Sequence, residues 1–229
     1  MNNNYDGIAR YYDVLSRMVF FRAQLQAQID QLHHIPASST ILITGGGTGW
    51  ILEEITKIHP RGLNITYVDI SAKMLDLSRK RRVKENKITF IHSPMEEFKG
   101  NTTYNVIITA FFFDNFSAES LPSVFLQLNQ LIKPGGLWLF SDFYFIKKSG
   151  KWWQSYLLKA MYLFFELISK VEAKELINTE HYFAEQHYLP LNTNFYYGKF
   201  IKAIVYQKTD FLSVNNKVLI NNQPDQQEK

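Results

Sequence analysis

Hydrophobic positions along the chain change their period several times, and each period predicts an element. Ile41-Leu42-Ile43 is apolar without alternation, which reads as a short strand buried on both faces. Gly45, Gly46, Gly47 and Gly49 then interrupt the run, and Ile51, Leu52, Ile55 and Ile58 recur at helical spacing. Further strand-like runs are Leu63 to Asp69, Ile88 to Ile91, Tyr104 to Ala110 and Leu137 to Phe140. Leu121, Val124, Phe125, Leu128, Leu131 and Ile132 mark a helix between the last two. Pro190 to Tyr197 and Phe200 to Lys208 are β-rich and joined around Gly198, which predicts a hairpin. Upstream, Ile8, Tyr11, Tyr12, Leu15 and Met18, then Leu25, Ile29 and Leu32, predict two amphipathic helical segments within residues 5–35. Strands alternating with helices place the chain in the α/β class.

The first strand, its glycine loop and the helix after it form the nucleotide-binding corner of an open sheet. Glycine is needed there because a side chain would block approach of a ligand to the backbone. A phosphate-cradling loop would read GxxxxGK[ST], and no Lys follows. A dinucleotide loop reads GxGxxG, and its third glycine would fall on Trp50. GxGxG, through Gly45, Gly47 and Gly49, does fit. Asp69 lies twenty residues past Gly49, where such sheets place the carboxylate that accepts hydrogen bonds from ribose hydroxyls. The plainer reading of Asp69 is a helix N-cap at a strand end.

The GxGxG loop resembles motif I of the class I S-adenosylmethionine-dependent methyltransferases. Other marks agree: Asp69-x-Ser71-x-x-Met74-Leu75 after strand two, Ile132-Lys133-Pro134-Gly135-Gly136 before strand five, and the terminal hairpin. The opening Tyr5-Asp6-x-x-Ala9-x-x-Tyr12-Asp13 is similar to the start of the ubiquinone/menaquinone-biosynthesis type, whose N-terminal helices cover the cofactor. The resemblance runs over residues 5–208. It implies a Rossmann-like three-layer α/β sandwich with a seven-stranded, mostly parallel sheet of order 3-2-1-4-5-7-6 and an antiparallel last strand. One domain would span residues 1–210, with a helical lid over 5–35, an inserted cap over 147–188 and a flexible polar tail over 211–229. The implied cofactor is S-adenosylmethionine, with S-adenosylhomocysteine as product. Gly45, Gly46, Gly47, Gly49, Asp69, Ile70, Met74, Pro94, Met95, Ala110 and Tyr12 would hold it. The implied reaction is in-line transfer of the sulfonium methyl to an O, N or C nucleophile.

The chain departs from that family at two positions. Two residues before the first glycine the family carries Asp or Glu, and here stands Ile43. Where the family often places an Asp against the adenine amine, here stands Pro94, so Met95 is left to offer its backbone N–H and thioether. These departures keep open a non-catalytic cofactor-binding or scaffold protein on the same fold. An NAD(P)-dependent oxidoreductase is disfavoured by Trp50 and by the terminal hairpin.

On the acceptor side, Phe111, Phe112 and Phe113 follow strand four at the carboxyl edge, where open sheets bind their ligands. Apolar rings there exclude water from a sulfonium. Residues 152–168 form an aromatic, nearly all-round apolar insertion broken by Lys159 and Glu166. Its uncharged runs are far below the ~20 residues of a membrane span. Its roles are a cap over the site, a homodimer seam or a peripheral membrane helix, and the cap is preferred. Tyr5, Phe111, Phe112, Phe113, Trp153 and Phe164 would then line a chamber for a small hydrophobic acceptor: a quinol, a lipid or a small aromatic. Methyl transfer can rest on positioning and desolvation. If a base exists, Asp142, Tyr144 and His92 are the candidates.

Composition narrows the rest. In 229 residues the hydrophobic share is 46%, with 18 Phe and 13 Tyr, enough for a folded domain with a large core. With no Cys, disulfides, thiolate catalysis and Cys-type zinc sites are excluded, and no metal-ligand cluster is visible. Net charge is only +4, and the basic run Arg79 to Arg82 lacks interleaved aromatics, so it reads as a solvated face and no nucleic-acid partner is expected. The first residues hold no basic n-region and no apolar h-region, which predicts a cytoplasmic protein.

Overall fold

A computed structural model describes residues 22–144 and 177–209. The expectations for Tyr5, Tyr12, Trp153 and Phe164, for the front of the lid, for most of the cap and for the tail lie outside those residues.

Seven strands form one sheet in the order β3-β2-β1-β4-β5-β7-β6. They are β1 (Thr40–Thr44), β2 (Arg61–Asp69), β3 (Glu85–His92), β4 (Tyr104–Ala110), β5 (Ile132–Phe143), β6 (Tyr188–Tyr196) and β7 (Ile201–Lys208). β1 runs parallel to both β2 and β4, and β7 enters antiparallel between β5 and β6. The helices are α1 (Ala23–Ile29), α2 (Trp50–Ile58), α3 (Ala72–Ser78), α4 (Leu121–Leu131) and α5 (Glu180–Glu185). The order expected from the family resemblance is the order observed.

Alternation along β1 splits the core into two layers. Ile41 and Ile43 face a cluster with Leu32, Ile51, Leu52, Ile55, Leu63, Tyr67 and Ile108, under α2 and α3. Leu42 faces the other way, toward Phe113, Val124, Phe125, Leu128, Trp138 and Phe183 under α4 and α5. That second layer is held by rings: Phe125 stacks on Trp138 at 5.1 Å, and Phe183 meets Trp138 edge-on at 5.0 Å. With both faces covered, β1 carries no polar alternation, which is why its sequence is a continuous apolar run.

Several strand bounds differ from the sequence reading, most visibly those of β5 and β3. β5 begins at Ile132 rather than Leu137, because Ile132 already pairs with Tyr104. Residues 133–136 then loop out, since the next partners are Val106 and Leu137. Gly135 turns that bulge at φ 72°, the left-handed backbone a Pro-Gly-Gly run supplies. β3 is also longer than its apolar centre, reaching from Glu85 to His92. Its extra residues are mostly exposed, so no apolar signal marks them.

Candidate functional site

β1 ends at Thr44, level with Val68 of β2 and Thr109 of β4, so the next residue leaves the sheet at its carboxyl edge. Gly45 donates its N–H to Val68 O at 2.9 Å, and the chain turns through positive φ at Gly45 (60°), Gly47 (61°) and Gly49 (76°) before α2 starts. The glycines answer different constraints. A Cβ on Gly46 would lie 2.3 Å from the Tyr67 ring, and one on Gly49 would lie 2.5 Å from Ser78 Cβ. A Cβ on Gly47 would meet nothing within 4 Å. Gly47 is therefore required by its backbone, and the space above it is open to a ligand.

Three side chains clasp this loop from below. Tyr67, wholly buried in β2, donates its phenol O–H to Gly47 O at 3.0 Å. Asp69, at the end of β2 and 6% exposed, accepts from Gly47 N–H at 2.9 Å through Oδ2 and from Ser71 N–H at 2.8 Å through Oδ1. Arg81 donates to Thr48 O at 2.9 Å and Thr48 Oγ1 at 3.2 Å while pairing with Glu53 at 3.3 Å. The helix after β2 is capped by Ser71, whose Oγ accepts from Met74 N–H at 3.1 Å. Asp69 is thus released from the cap role and placed at the junction of loop and strand.

The acceptor edge lies beyond β4. Phe111 holds φ 51°, unusual for a ring-bearing residue, and packs against Phe143 at 4.9 Å. Phe112 lies against Gly45, with ring atoms 2.8 Å from where a Cβ would stand. Phe113 is buried in the core beside Phe116, Phe125, Trp138 and Phe140. Asp142, 6% exposed, accepts from Phe143 N–H at 2.8 Å. Burial raises its pKa well above the usual carboxylate range, and the neighbouring carboxylate of Asp114 raises it further, against the pull of the Phe143, Phe113 and Asp114 N–H groups. Burial likewise raises Asp114 to about 7, opposed by its own backbone N–H. Burial and the neighbouring carboxylate both favour the protonated form of Asp142. Tyr144 stands under the Lys202 ammonium, 4.9 Å from its ring, and Lys202 in turn pairs with Glu180 at 2.7 Å.

Residues 41–136 match the family model of the methyltransferase domain. The sheet order and the loop agree with it. Over those residues the chain is similar to a methyltransferase domain. Over 103 residues it is 35% identical to a malonyl-[acyl-carrier protein] O-methyltransferase of Priestia megaterium, covering 45% of this chain and 36% of that one. Over 111 residues it is 32% identical to a ubiquinone biosynthesis O-methyltransferase of Rickettsia canadensis, covering 48% and 44%. The chain therefore spans less than half the length of either curated relative. Among solved structures, the 1,6-didemethyltoxoflavin-N1-methyltransferase of Burkholderia thailandensis, with bound 1,6-didemethyltoxoflavin and S-adenosylhomocysteine, superposes with a TM-score of 0.58 at 14% identity. That match covers 89% of this chain and 85% of the other. The N-methyltransferase NodS of Bradyrhizobium japonicum, with S-adenosylhomocysteine, gives 0.57 at 11% identity, covering 82% and 84%. These likenesses show the fold.

Most of the described residues picked from the sequence gather on the carboxyl edge of the sheet. Gly45 to Gly49, Asp69 and Ile70 come from the β1 and β2 ends, Pro94 and Met95 follow β3, and Ala110 closes β4. Met74 and Met95 are buried, 2% and 4% exposed, so their thioethers belong to the floor beneath the edge. His92 pairs in register with Asp69, is exposed, and has Nε2 2.9 Å from Ile70 O. Three residues of the site were not picked out: Tyr67, Arg81 and Asp114. Arg81 was hidden in a basic run, and Tyr67 reads as one more apolar strand position. No local pattern marks a side chain whose partner is far along the chain.

Proposed function

We propose that this chain is an S-adenosylmethionine-dependent methyltransferase whose acceptor is a small, apolar or aromatic molecule with an oxygen nucleophile. The observation that carries the reading is the Asp69–Gly47 junction: a buried carboxylate tied to the one loop glycine whose side-chain direction is open. A carboxylate has about four acceptor directions, enough to serve the loop and a pair of ribose hydroxyls together. Gly45, Gly46, Gly47 and Gly49 admit the cofactor to the backbone, Ile70 and Met74 border the ribose side, and Pro94 and Met95 the adenine side. Bound S-adenosylmethionine supplies a methyl group on a positively charged sulfur.

The chain's own residues then orient, exclude water and move a proton. Phe111, backed by Phe143, presents an apolar surface beside the β4 end. Asp114, raised by burial to about 7, accepts the proton a hydroxyl nucleophile loses. An oxygen nucleophile is favoured because both relatives above are named O-methyltransferases. The test is a coupled assay of S-adenosylhomocysteine release with a hydroxylated aromatic such as a catechol or demethylated quinol. Acceptor-dependent release is expected. Cofactor binding without release across such acceptors would contradict the proposed acceptor class.

A further inference from the structure

Gln31 stands just past α1 and reaches across to β5, 110 residues away in sequence, where it is 3% exposed. Its amide nitrogen donates to Ala27 O at 2.9 Å and Phe140 O at 3.1 Å and lies 2.6 Å from Ser141 Oγ. Two backbone carbonyls can only accept, so the amide orientation is determined and Oε1 must face the other way. Oε1 has no hydrogen-bond donor. A buried carbonyl oxygen without a donor is uncommon in folded proteins, because burial removes its water and nothing repays the loss. It is open to a donor from water or from a ligand.

Gln31 lines a small, partly open cavity with room for about one water molecule. The other walls include Ile51, Ile108, Ala110, Leu139 and Ser141. Ala110 closes β4 at the carboxyl edge and Ile51 is the second residue of α2, so the cavity adjoins the glycine loop. Ile43 pairs with Ile108 in the β1–β4 register and shares its core layer, so the place where a motif I carboxylate would project is this same side of the sheet. No acid stands at that position. On this side of the sheet the cavity offers the amide oxygen of Gln31.

We propose that Gln31 Oε1 receives the amino group of the cofactor's methionine portion, accepting one ammonium N–H directly or through one bridging water. The proposal rests on the cofactor assignment above. With the ribose at Asp69 on the β2 side, the amino-acid end of the ligand remains to be placed, and it carries a cationic donor. An amide oxygen in a wall that also holds Gln28 and Ser141 is suited to such a donor, since a hydrogen bond with an ionised partner is about twice as strong as a neutral one.

Calorimetric titration of the full chain with S-adenosylhomocysteine and with its deamino analogue tests this. The unaltered chain should bind the deamino compound about tenfold more weakly, the change expected for one charge-assisted hydrogen bond. Gln31→Met should weaken S-adenosylhomocysteine about tenfold, leave the deamino compound unchanged, and so abolish the discrimination. A second readout needs no variant: the Gln31 side-chain amide resonances should shift on adding S-adenosylhomocysteine and stay in place with the deamino analogue. Undiminished discrimination by folded Gln31→Met, or amide resonances that respond alike to both ligands, would overturn the proposal alone. If the unaltered chain binds neither ligand, the cofactor assignment falls and this proposal falls with it.

Discussion

The phenol oxygen of Tyr67 lies 3.0 Å from the carbonyl oxygen of Gly47, and the same ring occupies the place where a side chain on Gly46 would go. One buried residue of β2 thus sets both the position and the composition of the loop between β1 and α2. Removing the hydroxyl while keeping the ring, as Tyr67→Phe does, should cost about 1 kcal/mol of stability, the net value of an ordinary hydrogen bond. S-adenosylhomocysteine affinity should fall with it, because Gly47 is less firmly held. Urea unfolding and calorimetry on the same variant check the two parts separately.

Gly46→Ala should do more damage. Its Cβ would stand 2.3 Å from the Tyr67 ring, which is wholly buried and cannot swing aside. Overpacking of this kind costs roughly 1–3 kcal/mol. The expected result is a lowered melting temperature and loss of ligand binding. A variant that melts and binds like the unaltered chain would show that the Tyr67 ring does not fix the loop.

Asp69 should behave as both a ligand residue and a structural one. From the sequence alone, a carboxylate at a strand end could be removed with little effect on the free protein. The two backbone N–H groups it accepts from, those of Gly47 and Ser71, change that expectation. Asp69→Ala should lower the unfolding free energy by about 2 kcal/mol, since it strips a charged acceptor from a buried junction. It should also weaken S-adenosylhomocysteine at least tenfold, an affinity loss of about 1.4 kcal/mol or more.

The carboxyl pair at the acceptor edge predicts a pH dependence with a definite sign. In the folded chain Asp114 titrates at about 7 against an ordinary value of 3.8. Below about pH 4 the group is protonated whether folded or not, and it costs the fold nothing. Between that pH and about 7 the native state holds more protons than the unfolded one, so stability falls as pH rises and then levels off. The raised Asp142 acts in the same direction. Asp114→Asn should flatten this slope and stabilise the protein above pH 7, read as melting temperature across pH 5 to 8. An unchanged slope would place the titration elsewhere.

The sheet was legible in the sequence because its inner strands are buried on both faces. β4 could be read to the residue, from Tyr104 to Ala110, and the centre of β1 from three apolar residues. β5 was read short because its first pairing residue, Ile132, is followed by a bulge that looks like a turn. The glycine loop and Asp69 were legible because both are matters of spacing along the chain. Tyr67, Gln31 and Asp114 were not, because their surroundings are brought together by folding: Gly47 is 20 residues from Tyr67, and Ser141 is 110 from Gln31.

The central claim, that the loop from Gly45 to Gly49 holds S-adenosylmethionine, is tested most directly by thermal and urea unfolding of the full chain with S-adenosylhomocysteine present. A ligand that binds only the folded state raises the unfolding free energy by about 2.7 kcal/mol at a hundredfold excess over its dissociation constant. The account predicts that gain for the unaltered chain and a much smaller one for Asp69→Ala at the same concentration. A folded, unaltered chain showing no stabilisation at millimolar S-adenosylhomocysteine would contradict it.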